Sequence, residues 1–330
     1  MRYIKIKNTV LKASIICLGV ANIGVKITEK DSYRLLDEYI KEGGNFIDTA
    51  RVYSNWEPGE KNRSERILGE WLKSKKNREK IVLATKGGHP RLDNMENPRL
   101  SKKEVNEDLN GSLETLQTDY IDLYYLHRDD PQKPIEEIMD MLHDFEKSGK
   151  IRYYGCSNWS PQRIKNAQEY AKEKNYQGFV ANSMLWNIGV YNMKKLADPT
   201  LVCFSKDMYD LHKNYDITAI PYSSQSKGFF AKLNSDKKRD KEKTKKSNYN
   251  TAENLNIYKN LLKITEKLDM SITEIVLSYL ISQDIDTIPI VGCRTIEQLK
   301  DSLKAVNKKI PQEILHKLDK TAGFSYNSTN

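Results

Sequence analysis

Cysteine is scarce in this 330-residue chain: Cys17, Cys156, Cys203 and Cys293 lie far apart, and no two form a CxxC pair. That scatter argues against a disulfide framework or a structural zinc site and fits a reducing compartment. No HxH or HExxH spacing occurs, so no metal site is expected. No GxGxxG or phosphate-loop motif follows the first strand-like segment, which disfavours an open nucleotide-binding sheet. Long apolar runs are also missing. Residues 13–25 follow several lysines as the core of a secretory leader would, but Gly19, Asn22 and Gly24 interrupt them. They are also too short to span a bilayer. The alternation over Tyr3, Ile4, Lys5, Ile6 and Lys7 reads instead as a hairpin strand, and the protein is expected in the cytoplasm with no membrane partner.

What remains is ordinary for a globular protein, 38% hydrophobic and 30% charged, in a chain long enough for one large α/β domain. The formal charge of +9 does not point to nucleic acid, because residues 236–246 alone hold seven lysines and arginines against three acids. Residues 236–250 lack apolar periodicity and read as a lysine-rich loop insertion, either a plain solvated loop or a lid over a bound cofactor.

Strand-like segments fall at 15–18, 45–47, 81–85, 121–125, 153–156, 178–181, 217–221 and 287–290. Helix-like segments lie between them, at 32–41, 64–73, 101–116, 134–147 and 161–173 among others. Ser101 with Glu104 three residues later forms a capping-box pattern, and Pro134 and Pro161 suit first turns. Eight β/α alternations predict a parallel sheet covered by helices, and eight in this length favour a single closed (β/α)8 TIM barrel over 1–330, with an N-terminal β-hairpin and C-terminal helices. The 236–250 insertion then follows the seventh strand, on the catalytic face.

Catalytic groups in such a barrel stand at the C-terminal ends of the strands. There the chain offers Asp48, with Tyr53 just beyond it, then Lys86, then His127. A buried carboxylate needs compensation, and Lys86 supplies it. An ammonium held there would lower the pKa of the Tyr53 phenol and fit it for proton transfer to a developing alkoxide. His127 can position the same substrate oxygen.

These residues lie in Asn45-Phe46-Ile47-Asp48-Thr49-Ala50, Ala84-Thr85-Lys86, Asp122-Leu123-Tyr124-Tyr125-Leu126-His127 and Gly149-Lys150-Ile151-Arg152-Tyr153-Tyr154-Gly155-Cys156-Ser157-Asn158. In that order they resemble the signatures of the aldo-keto reductase family. The resemblance runs from about residue 3 to about residue 320. It implies a catalytic tetrad of Asp48, Tyr53, Lys86 and His127, and a nicotinamide cofactor bound without a Rossmann fold. It places Ser157 and Asn158 on the carboxamide, and Trp186 where an aromatic ring stacks on the nicotinamide. The loop with Tyr222, Ser223, Gln225 and Gly228 would lie along the pyrophosphate. Arg294 and Gln298 would stand at the adenosine end, where a guanidinium suits a 2′-phosphate and favours NADPH over NADH. The chain departs from the family pattern twice. Ser183 replaces a glutamine that commonly completes the carboxamide contacts, and Ser302 replaces an asparagine that commonly meets adenine.

The resulting expectation is an NADPH-dependent oxidoreductase that reduces aldehyde or ketone carbonyls of small molecules. The alternative is a non-catalytic nucleotide-binding barrel serving as a redox-sensing partner subunit. Trp56, Trp159, Trp186 and His89, in or beside strand-end loops, are expected at the pocket mouth.

Overall fold

A computed structural model of the chain describes residues 1–192 and 198–321. An antiparallel hairpin comes first, with β1 (Tyr3–Lys5) paired to β2 (Lys12–Ser14). Eight parallel strands follow, in spatial order β10, β3, β4, β5, β6, β7, β8, β9. They are β3 (Cys17–Gly19), β4 (Phe46–Asp48), β5 (Val82–Gly87), β6 (Ile121–Leu126), β7 (Ile151–Ser157), β8 (Ala181–Ser183), β9 (Thr218–Ala219) and β10 (Ile290–Val291). The sheet closes through backbone bonds between the segments carrying its first and last strands: Ala219 N to Asp286 O (2.8 Å), Ile288 N to Ala219 O (2.8 Å) and Ile290 N to Pro221 O (2.9 Å). The architecture is therefore a (β/α)8 barrel with the hairpin expected from the N-terminal alternation.

Two apolar layers hold it together. Leu18, Ile47, Leu83, Tyr124 and Leu126 face outward and pack with helix residues such as Leu35, Leu36, Ile67, Leu68, Val105 and Leu109. Phe46, Val82, Ala84, Leu123, Tyr125, Val180 and Ile288 face the lumen, where Ile6, Leu11 and Ala13 from the hairpin join them. The hairpin thus plugs the barrel with three side chains that would otherwise be exposed, and burial of each contributes about 1–3 kcal/mol.

The helices framing the site are α1 (Glu29–Lys41), α2 (Arg63–Lys75), α3 (Lys102–Leu116), α4 (Ile135–Lys147) and α5 (Pro161–Lys174). The first begins earlier than its apolar face suggests, because Thr28 Oγ1 accepts from Asp31 N at 3.1 Å and caps it. At α3 the capping box forms as read, with both Ser101 and Glu104 engaged.

Strand limits shifted where side chains took backbone donors. Gly178 N donates to Tyr154 OH and Phe179 N to Gln168 Oε1, so the strand read at 178–181 begins only at Ala181. The segments read at 217–221 and 287–290 narrow to two-residue strands, β9 and β10.

The lysine-rich insertion is not a plain loop. After α6 (Lys206–Tyr215) and the short α7 (Phe229–Leu233) it forms α8 (Lys238–Lys245). Lysine, arginine and glutamate are good helix formers, and 236–246 contains neither glycine nor proline to interrupt them. Thr244, 4% exposed, anchors a helix that is otherwise polar all round. The remaining described helices are α9 (Ala252–Leu268), α10 (Ile272–Ile281), α11 (Ile296–Leu303) and α12 (Gln312–Thr321). No described helix is long and apolar enough to cross a membrane.

Candidate active site

The lumen-facing row of several strands turns polar at its C-terminal end. Phe46 is followed two residues on by Asp48, Ala84 by Lys86, Tyr125 by His127 and Ala181 by Ser183. Side chains alternate between the faces of a strand, so each polar group lies on the side of the apolar residue before it. The registers, Asp48 opposite Ala84 and Lys86 opposite Tyr125, set these rows side by side.

Lys86 is 2% exposed and stands at the centre. Its ammonium donates to Asp48 Oδ1 at 2.5 Å, to the Thr49 carbonyl at 2.8 Å and to the Tyr53 hydroxyl at 3.2 Å. Those bonds use all three of its protons. Burial works against the ammonium, but Asp48 and Tyr53 outweigh it and hold its pKa above the ordinary lysine value.

Tyr53 departs from expectation. Burial pushes its phenol up, Lys86 pulls it down and Asp48 pushes it up again, leaving it above the ordinary 10.0. The expected acidification fails first because burial disfavours the phenolate, and second because the carboxylate that makes Lys86 tolerable also cancels part of its charge at Tyr53. The phenol is protonated at neutral pH, and because it accepts from Lys86 its own O–H is left to donate elsewhere.

His127 is 6% exposed, and its ring lies edge-on to Tyr53 with centroids 5.8 Å apart. Burial, with the neighbouring His89, Arg128 and Lys86, holds its pKa well below 6.5, so the imidazole is neutral. His89 packs on it at 4.8 Å. The Nδ1 of His89 lies 2.6 Å from the Pro90 carbonyl, which can only accept, so that nitrogen carries the proton. Burial and the charge of Arg128 pull His89 down to about 4.

The expected cofactor residues fall in two groups. In the first, Asn158 Nδ2 donates to Ser157 Oγ at 3.0 Å, while its Oδ1 accepts from Tyr222 OH at 2.6 Å and Val202 N at 3.2 Å. Ser183, fully buried, ends the next strand. In the second, Gln225 Nε2 donates to Ser302 Oγ (3.0 Å), which donates to the Gln298 carbonyl (2.9 Å), and Arg294 N donates to Gln298 Oε1 (2.9 Å). The connecting loop carries left-handed backbone at Ser223, Ser226, Lys227 and Gly228.

Two of the aromatic residues expected at the pocket mouth do not line it. Trp186 is 1% exposed and stacks on Phe204 with centroids 3.8 Å apart, so that face of its ring is taken. Trp159 is fully buried against Phe179, with Arg163 over its ring. Both are core residues, because bulky rings are the cheapest filling between strand and helix layers. Trp56, 44% exposed and edge-on to Tyr53 at 5.9 Å, and His89 do border the tetrad.

Sequence reasoning passed over Arg128. This guanidinium, 6% exposed, donates to the His127 carbonyl (2.8 Å), Thr200 Oγ1 (2.7 Å) and Asp198 Oδ2 (2.7 Å), tying the loop after β8 to the end of β6. Its place directly after His127 was the available signal. Thr49, whose carbonyl helps hold Lys86, left no signal, since any residue brings that oxygen.

Comparison with known proteins agrees with the barrel. The family profile described as Aldo/keto reductase family matches residues 15–322. The chain is 29% identical over 324 residues to an uncharacterized oxidoreductase, YrpG, of Bacillus subtilis, covering 97% of this chain and 95% of that protein. It is 27% identical to norsolorinic acid reductase B of Dothistroma septosporum, covering 95% and 79%. It is 28% identical to an aryl-alcohol dehydrogenase [NADP(+)] of Phanerodontia chrysosporium, covering 96% and 84%. A barrel with these strand ends, matched over nearly its whole length, is an oxidoreductase that belongs to the aldo/keto reductase family.

Proposed function

We propose that this protein reduces aldehyde or ketone carbonyls to alcohols with NADPH, and that Tyr53 gives the proton. The observation that carries this reading is the 3.2 Å bond from the Lys86 ammonium to the Tyr53 hydroxyl, with Asp48 behind it.

The residues present fit a nicotinamide cofactor. Asp48 Oδ2, His127 Nδ1 and Ser183 Oγ are buried without a protein partner among the described residues, which leaves donors and acceptors for a ligand at this end of the barrel. Ser157, Asn158 and Ser183 would hold the carboxamide, and Tyr222, bonded to Asn158, replaces Trp186 as the ring for stacking. Toward the adenosine end, burial and the nearby Lys243 and Arg294 depress the Lys232 ammonium, as expected where cations gather for phosphates. The Arg294 guanidinium, of a kind suited to a 2′-phosphate, supports NADPH over NADH, and a relative of this chain is named for NADP(+).

When bound, the cofactor supplies the hydride. The chain supplies the rest. Tyr53 transfers its hydroxyl proton to the substrate oxygen, and Lys86, fixed by Asp48 and the Thr49 carbonyl, stabilises the phenolate left behind. Neutral His127 donates a hydrogen bond to that oxygen without competing as an acid. Trp56 beside Tyr53 offers an aromatic wall, and the relatives named for aryl alcohols make aryl aldehydes the first substrates to try.

The test follows NADPH absorbance with 4-nitrobenzaldehyde. Tyr53→Phe is expected to lose about 10²- to 10⁴-fold in kcat while binding NADPH as wild type does. An active Tyr53→Phe variant refutes the mechanism.

A further inference from the structure

Behind the tetrad, outside the lumen, lies a buried polar knot. Glu65 of α2 is fully buried. Its Oε1 accepts from Thr85 Oγ1 and from Ser112 Oγ, both at 2.7 Å, and its Oε2 from Arg51 Nη1 at 3.2 Å. Arg51 also donates to the Gly111 carbonyl at 3.2 Å and Thr115 Oγ1 at 2.9 Å. At Gly111 a β-carbon would stand 2.6 Å from the guanidinium, so α3 is recessed there to admit it.

The partners are informative. Thr85 precedes Lys86 on β5, and Arg51 lies two residues before Tyr53 on the loop after β4. The Arg51 backbone N–H donates to the Lys86 carbonyl at 3.0 Å, and Tyr53 N closes a turn onto the Ala50 carbonyl at 3.0 Å. One carboxylate therefore ties the loop that carries the phenol to the strand that carries the ammonium. A buried ion pair of this kind adds little net stability over an apolar filling. What it adds is direction, because Arg51 can satisfy Glu65, Gly111 and Thr115 together only with the loop in one place.

We propose that Arg51 and Glu65 are positioning residues that hold the Tyr53 hydroxyl in reach of Lys86. This rests on the reading of Tyr53 as the proton donor. Neither residue meets substrate; both act through the loop.

The experiment uses the full chain with NADPH and an aryl aldehyde. Glu65→Gln keeps the hydroxyl bonds and weakens the hold on Arg51; Arg51→Met removes the fork; Arg51→Met with Glu65→Leu removes the pair without leaving a lone charge. Displacing a reacting group by about an ångström costs up to about a hundredfold, so kcat is expected to fall about tenfold in Glu65→Gln and about a hundredfold in the other two. The Kd for NADPH, read by fluorescence, should stay within about twofold of wild type. A phenol drawn away from Lys86 loses the cation that lowers its pKa, so the ascending limb of alcohol oxidation, which needs the phenolate as base, should move to higher pH. The groups facing that phenol are Lys86, Asp48, His127 and Arg128. A merely structural role would lower the melting temperature and leave both the limb and kcat in place, which overturns the proposal. Where Arg51→Met fails to fold, Glu65→Gln decides. Wild-type kcat in these variants beside a dead Tyr53→Phe refutes this inference alone; an active Tyr53→Phe refutes the reading beneath it.

Discussion

Asp48→Asn keeps the shape of the side chain and removes the carboxylate from the Lys86 ammonium. At the 2.5 Å separation of the pair, two unit charges attract by about 7 kcal/mol at an effective dielectric of about 20. With side chains 2% and 1% exposed, desolvation of both groups offsets much of that gain. Removing one partner leaves the desolvation of the other uncompensated, at about 3–5 kcal/mol. Asp48→Asn and Lys86→Met should each lose about that much in urea unfolding without cofactor, and the double variant less than the sum. Proton linkage sharpens the test. In wild type the folded pKa of Lys86 is raised, so its contribution is fully present below the ordinary 10.5 and is lost only as pH climbs through the folded value. In Asp48→Asn the burial that remains depresses Lys86, the unfolded chain binds the extra proton, and stability rises with pH from neutrality toward 10.5. A single variant that loses less than about 1 kcal/mol, with no pH trend of its own, refutes the buried ion pair.

The reductive kcat should be flat between the ordinary pKa values of histidine, 6.5, and tyrosine, 10.0, since His127 is neutral above the first and Tyr53 protonated below the second. A limb inside that window, in a variant-free pH profile, would contradict the assigned protonation states. Arg294→Ala should weaken NADPH roughly tenfold or more in fluorescence titration and leave NADH nearly unchanged, as expected for one charge-assisted contact. Equal affinity for both cofactors in wild type removes the basis for that choice. Ser101→Ala breaks the capping box at α3 and should cost about 1 kcal/mol in urea unfolding with activity intact.

The barrel was legible because alternation of strand-like and helix-like segments survives errors in any single one. The meeting of Asp48, Lys86 and His127 was legible because period two carries the lumen-facing row of each strand onto a polar residue at its end, and Tyr53 follows on the loop after β4. What escaped depended on packing between distant segments. Trp186 looks like a pocket aromatic until Phe204 is seen to cover it, and nothing local announces that pairing. The direction of the Tyr53 shift needed the depth of burial, which a motif does not carry. The 236–250 insertion has no apolar stripe, so its helix is visible only through propensity and the anchor at Thr244. The Arg51–Glu65 tie joins residues 14 positions apart across a loop, α2, β5 and α3, and only the folded arrangement brings them together.

Lys86 spends every proton inside the protein, Arg128 is matched by Asp198, and both imidazoles at the strand ends are uncharged. Among the described residues, the cations and imidazoles that meet at the strand ends are therefore already paired or neutral. Under the proposed function, a neutral carbonyl compound and the neutral alcohol made from it would meet the same balanced charges there. On that reading, discrimination among substrates would fall to shape and to the exposed ring of Trp56 beside Tyr53, leaving the strand-end groups to serve many skeletons.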